Sequence, residues 1–254
     1  MDQPQPIRLN KFLAERLGVS RREADDLISA GKITIDGKPA SLGARVDFSS
    51  KVCYNGKIIL FEADFLYIAF NKPVGYVCSR RAQGDAPTLY ELLPKEYQKL
   101  KTVGRLDKDS SGLILLTNDG DFAYQMTHPK FHKEKVYEVT LDRPLEPLHQ
   151  QMISDYGIML DDGPSKFTVV ASAGGGAGGT PAVRRREPST VGETATTGPA
   201  ERTHLTVILS EGRNRQIRRT FAALGYRVTA LHRTKFGPYQ LSGLKPGKYV
   251  TIKA

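Results

Sequence analysis

Leu113-Ile114-Leu115-Leu116 has no polar member, and turn formers crowd both of its ends: Ser110-Ser111-Gly112 before it and Asn118-Asp119-Gly120 after it. An unbroken apolar run this short, between such breaks, fits a strand buried on both faces better than a helix. A strand of that kind has to lie inside a domain. Directly ahead of it stands a turn crowded with charge, Gly104-Arg105-Leu106-Asp107-Lys108-Asp109, whose best-placed carboxylate is Asp107. A carboxylate at the mouth of a buried strand loses hydration, yet Arg105 and Lys108 beside it favour its charged form. That setting suits a nucleophile or a base. From these residues alone, a solvated turn whose acids and bases pair on the surface is the plain alternative.

Other strands gather around the first. Leu66 to Phe70 is β-rich and ends in Asn71-Lys72-Pro73-Val74-Gly75, a turn that brings Lys72 to one edge of a sheet. In Lys135-Val136-Tyr137-Glu138-Val139-Thr140-Leu141, the period of two puts Tyr137 on the inward face with Val139 and Leu141. His204 to Leu209 alternates as a strand and Gly212 breaks it. A helix follows, with Ile217, Phe221 and Leu224 as its buried stripe. Arg215 and Arg219 share an outer face of that helix, whereas Arg218 borders the apolar side. Short helices between strands, without βαβ repetition, predict an α+β fold around a largely antiparallel sheet.

The first sixty residues read as a separate module. Leu9, Leu13 and Leu17 recur every four residues with Phe12 alongside, and Gly18 stops the helix. Ser20-Arg21-Arg22-Glu23 is a capping box for a second helix with Ala24, Leu27 and Ile28 on its stripe. Ile33-Thr34-Ile35 and the turn pair Asp36-Gly37 then predict a hairpin. Arg8, Lys11, Arg21 and Arg22 lie off the apolar stripes, free to face a phosphate backbone. The stretch from Val19-Ser20-Arg21-Arg22-Glu23-Ala24 through Ile28 and Gly31 to Ile35 and Gly37 resembles the alpha-L RNA-binding module first seen in small-subunit ribosomal protein four. The expected division is residues 1–60 for this module and 64–254 for the catalytic domain. Residues 171–202, rich in Gly, Thr, Pro and Arg and including Arg184-Arg185-Arg186, read as a flexible insertion in the latter.

Charge favours a nucleic-acid partner. Of the net +10, residues 202–254 supply 11 Lys or Arg against a single acid, an electrostatic footprint for phosphates. Cys53 and Cys78 are too few for a disulfide framework and lie in no CxxC pair, so a reducing compartment is expected. Neither a secretory signal nor an apolar stretch able to span a bilayer is present, which predicts a cytoplasmic protein. No Rossmann fingerprint, P-loop or metal-ligand cluster asks for a cofactor.

The seventeen positions from Gly104 to Gly120 resemble the catalytic motif of the ribosomal pseudouridine synthases, in the branch of the RsuA-like and RluB-like enzymes, and the likeness runs along nearly the whole chain. The resemblance implies that Asp107 is the essential aspartate and that Tyr137, in a Lys-x-Tyr segment, packs against the uracil. It also implies that Arg218, after Gln216-Ile217, forms an ion pair with Asp107 while Ile217 lines the uracil pocket. Arg105 and Lys72 are expected at the substrate. Arg213, Arg215 and Arg219 are expected at RNA phosphates. The implied reaction is cofactor-free isomerisation of a uridine that is flipped out of the stack, on ribosomal RNA and with the large subunit favoured. A monomer is expected. Two rivals come from other classes: an RNA-binding assembly factor without catalysis, and an RNA N-glycosidase that releases uracil.

Overall fold

The computed structural model describes residues 5–61, 65–80, 84–171 and 202–254. In the N-terminal part, helix α1 (Leu9–Leu17) ends at Gly18, whose φ of 70° suits a residue without Cβ. Helix α2 (Arg21–Ser29) opens on the anticipated capping box: Glu23 N donates to Ser20 Oγ at 3.1 Å, and Ser20 N donates to Glu23 Oε2 at 2.6 Å. Asp36 and Gly37 both take positive φ, 50° and 82°, which a two-residue hairpin turn of the right twist demands. Leu9, Phe12, Leu13, Ala24, Ile28, Ile33, Val46 and Val52 close a small core of their own beneath these helices.

The second part is built on one nine-stranded sheet. Its strands are β1 (Tyr67–Lys72), β2 (Lys101–Val103), β3 (Ser111–Thr117), β4 (Lys135–Leu141), β5 (Thr168–Ala171), β6 (His204–Leu209), β7 (Val228–Phe236), β8 (Tyr239–Gln240) and β9 (Tyr249–Thr251). The spatial order is β5-β6-β4-β7-β3-β1-β9, with β2 paired to β3 and β8 to β7. Every pairing is antiparallel except β7 with β3. The fold is therefore α+β on a mixed, largely antiparallel sheet.

β3 sits centrally, and its two faces enter different cores. Ile114 and Leu116 join Phe70, Leu106, Tyr137 and Val139 on one side; Leu113 and Leu115 join Val103, Met126 and Phe236 on the other. All four are fully buried, each contributing about 1.5–3 kcal/mol relative to exposure. Gly112 explains how the parallel neighbour approaches: a Cβ there would meet the Arg233 backbone at 2.3 Å. Helix α3 (Gly120–Thr127) covers one face, its first turn capped by the Asp119 carboxylate.

The two parts touch through specific contacts. Lys11 Nζ pairs with Asp121 at 2.5 Å, and Lys101 Nζ donates to the Val19 carbonyl at 3.0 Å. Lys11, anticipated at RNA, is thus committed to the contact between the parts, because α1 packs with that side toward α3. Arg8, Arg21 and Arg22 are exposed, as a phosphate-facing role requires. The predicted insertion, Arg184-Arg185-Arg186 included, lies outside the described residues except for its first and last positions. No helix among the described residues is long and apolar enough to cross a membrane.

Candidate active site

β2 ends at Val103, and Gly104 (φ 70°) turns the chain into the loop that carries Asp107 to the start of β3. Four contacts pin this loop. Ser110 N donates to the Asp107 carbonyl at 3.1 Å, Gly75 N to the Lys108 carbonyl at 2.7 Å, and Leu106 N to Cys78 Sγ at 3.4 Å. The fourth is Lys72, whose ammonium donates to the carbonyls of Ser110 at 2.6 Å and Pro73 at 2.8 Å.

Lys72 corrects an expectation. It was anticipated at a sheet edge within reach of the substrate, yet its exposure is 0%. The reason is topological: β1 lies between β3 and β9, so its end is interior. Burial lowers the Lys72 pKa, while the nearby Asp107 and Asp109 oppose that shift. The side chain is a strut under the loop, and substrate cannot reach it in this structure.

Asp107, 30% exposed at its side chain, faces a cavity of about 370 Å³, within the ~300–1,000 Å³ range of small-ligand clefts. Tyr137, Ile217, Arg105, Lys135, Leu231, Arg233 and Phe236 share its walls. Tyr137 and Ile217 are buried, at 8% and 5% exposure, whereas Arg105 is exposed. Asp107, Tyr137, Ile217 and Arg105 are thus brought to one cavity.

The expected Arg218–Asp107 ion pair is not formed. Arg218 is held by Asp109 and its neighbours: Nη2 donates to the Asp109 carbonyl at 2.9 Å and Nη1 to the Val228 carbonyl at 2.8 Å. Its Nε lies 3.3 Å from Asp109 Oδ2, an ion-pair distance without hydrogen-bond alignment. The guanidinium beside Asp107 belongs to Arg215, with Nη1 3.6 Å from Oδ2, and Arg215 also donates to both Asp109 oxygens at 3.2 and 3.4 Å. The Arg218 pairing is implied by the resemblance, whereas helix counting puts Arg215 on an outer face with Arg219; helix α4 (Gln216–Ala223) in fact begins one residue after Arg215, which caps it in the left-handed region at φ 47°. Arg215 is therefore no part of a helical stripe. Burial raises the Asp109 pKa, but the hydrogen bond from Arg215 and the charges of Arg218 and Arg215 outweigh it, leaving the carboxyl below its ordinary value.

Arg213 and Arg219, anticipated at phosphates, are also engaged. Both reach the Asp162 carboxylate, at 3.0 and 2.7 Å, and Arg213 lies 3.5 Å from Glu211 as well. Gln216, only 3% exposed, ties this corner together by donating to Ser165 Oγ at 3.1 Å and to Glu211.

Asp109, Lys135 and Arg233 were missed as site residues. Arg233 had left a signal, since in β7 it falls two positions from Leu231 and so on the same inward face. It stands directly opposite Tyr137 in the β4–β7 ladder. Burial pushes the Lys135 pKa down to about 8, with the Arg233 charge adding to the effect and Glu211 opposing it. Among the described residues, no group of three His, Cys, Asp or Glu side chains is placed to hold a metal.

Known proteins resemble this chain in sequence and fold. The family described as RNA pseudouridylate synthase matches residues 66–223, and the S4 domain matches residues 7–52. Ribosomal small subunit pseudouridine synthase A of Pasteurella multocida is 34% identical, over 98% of this chain and 97% of that protein. The Yersinia pestis protein of the same name is 35% identical, over 96% and 93%. Ribosomal large subunit pseudouridine synthase B of Pseudomonas aeruginosa is 34% identical over 97% of this chain but 59% of that protein. A crystal structure of a pseudouridylate synthase aligns with a TM-score of 0.62 at 29% identity, covering 97% of this chain and 96% of that one. With the acidic loop, the inward tyrosine and the late helix in the family's order along one cavity, the chain belongs to the RNA pseudouridylate synthases and carries an S4 domain ahead of the catalytic sheet.

Proposed function

We propose that this protein isomerises a uridine of ribosomal RNA to pseudouridine, with Asp107 as the central carboxylate. The observation that carries the reading is the pinned Asp107 loop opening onto a cavity walled by Tyr137 and Ile217. In the reaction the N1–C1′ bond breaks, the uracil turns, C5 joins C1′, the C5 proton leaves and N1 gains one. Asp107 either attacks C1′ or removes a ribose proton so that the base departs as a glycal forms. Tyr137 offers the uracil a flat apolar face, and Ile217 closes the pocket around it.

Stacked bases hide their glycosidic bonds, so the uridine is flipped into the cavity and the flanking strand is gripped elsewhere. The exposed Arg8, Arg21 and Arg22 of residues 1–60 and the catalytic part from residue 64 share that grip, with Arg105 at the cavity rim. Arg213, Arg215 and Arg219 contribute where strand phosphates compete with their acidic partners. The protein works in the cytoplasm as a monomer on ribosomal RNA, free or in an assembly intermediate.

For the subunit, the sequence leaned toward the large one. Similarity to the small-subunit enzymes, which runs over nearly the full length of both chains, supports the small subunit instead. The test is carbodiimide treatment of both ribosomal RNAs after incubation with the protein, followed by primer extension. One new stop is expected with the parent protein and none with Asp107→Asn, whose RNA affinity stays near the parent's. Free uracil without a stop would make the protein an N-glycosidase, and RNA binding with neither product would make it an assembly factor.

A further inference from the structure

Arg233 is 2% exposed, and no carboxylate lies within ion-pair distance of it among the described residues. Its Nε donates to the Leu113 carbonyl at 2.7 Å, and Nη1 reaches Tyr137 Oη at the long distance of 3.5 Å. Its Nη2 is buried and has no hydrogen-bond partner. The guanidinium carbon lies 4.8 Å from the Phe236 ring centroid and 5.9 Å from that of Tyr137. A permanent charge in such a place is among the costliest features a fold can keep, because arginine cannot escape by losing its proton. The residue lines the same cavity as Asp107. Burial lowers the pKa of the neighbouring Lys135, and the Arg233 charge adds to that shift while Glu211 opposes it.

We propose that Arg233 is a catalytic residue that stabilises the negative charge acquired by the uracil when its glycosidic bond breaks. This rests on the pseudouridine synthase reading. Heterolysis of N1–C1′ leaves the electron pair on N1, from which it delocalises onto O2, O4 and C5. The charge of Arg233, in the wall of the same cavity, then acts on an anion that the bound uridine did not present. An interaction stronger in the transition state than in the ground state accelerates the step without merely tightening binding. Charge on C5 is also what lets that carbon attack C1′, after which the C5 proton is lost and N1 is protonated. Both routes open to Asp107 expel the same anion, so the role of Arg233 holds for either.

The test compares the full chain with Arg233→Gln and Arg233→Lys in single-turnover reactions on RNA carrying uridine or 5-fluorouridine at the target. Fluorine makes the base a better leaving group. Arg233→Gln is expected to slow glycosidic cleavage of uridine RNA by about 10²–10³-fold, the usual cost of removing one such donor. On the fluorinated RNA the loss should be about tenfold smaller, with the dissociation constant for RNA nearly unchanged. Arg233→Lys should recover part of the rate. Equal slowing on both RNAs, no slowing, or a loss that follows RNA affinity would each overturn the assignment. If the parent protein makes no pseudouridine, the functional reading itself fails, an outcome distinct from an active parent with an unaffected variant.

Discussion

Replacing Lys72 by Met isolates the device that holds the catalytic loop. The side chain is fully buried, and its ammonium serves the carbonyls of Ser110 and Pro73 at 2.6 and 2.8 Å. Methionine matches the length of the stem but donates nothing. The gross loss is two charged hydrogen bonds, about 1.5–3 kcal/mol each. Part of it returns because no ammonium then has to be stripped of water. What stays uncompensated is the carbonyls, each costing about 1–3 kcal/mol when buried without a donor. The Ser110 carbonyl bears that in full and the partly exposed Pro73 carbonyl only in part, which sets the net effect at about 2–4 kcal/mol. At roughly 2–4 °C per kcal/mol for a chain of this size, the melting temperature should fall by about 5–15 °C in a circular-dichroism melt. Because Ser110 N also bonds the Asp107 carbonyl, the same change should displace the carboxylate and reduce kcat by more than RNA affinity. A variant that melts within about 2 °C of the parent and turns over normally would refute the strut.

Asp109→Asn should loosen Arg215, which donates to both carboxylate oxygens, and lower kcat by about 10²-fold while the dissociation constant for RNA stays within a few-fold, read from single-turnover rates and filter binding. Asp107→Asn should lose turnover by several orders of magnitude in the same assay and still bind RNA. Lys135 predicts a pH dependence whose sign follows from its lowered pKa of about 8: the ammonium is charged below that pH and neutral above it. The cavity therefore loses a positive charge as pH rises through 8, and kcat/KM should fall there, a limb that Lys135→Met should abolish from the pH–rate profile.

The fold was largely legible because its strongest signals are local. A capping box, a turn pair of positive φ and an all-apolar run each act over a few residues, and the chain obeys them at Ser20–Glu23, Asp36–Gly37 and Leu113–Leu116. At the site, a single strand's period was enough to point Tyr137 inward, and its side chain is buried there. What failed was partnership. Whether Arg218 meets Asp107 or Asp109 depends on where α4 begins relative to a loop about a hundred residues earlier, and no periodicity encodes that. Whether Lys72 lies at an edge or inside depends on β9, a strand nearly two hundred positions away that covers β1.

The same limit applies to charge. Residues 202–254 read as an almost purely cationic tail, but the fold returns acids to it from elsewhere. Asp109 takes Arg215 and Arg218, Asp162 takes Arg213 and Arg219, and Glu134 takes Lys235 at 2.8 Å. Pairing leaves the total of +10 untouched, so long-range attraction of RNA, which depends on the summed field, survives intact. Contact is another matter, since a guanidinium already holding a carboxylate must exchange it for a phosphate and gains only the difference. Counting cations therefore describes how fast RNA arrives better than which residues hold it. Arg233 differs from these paired cations, because it has no acid to exchange and is 2% exposed, so its field acts on whatever enters the cavity.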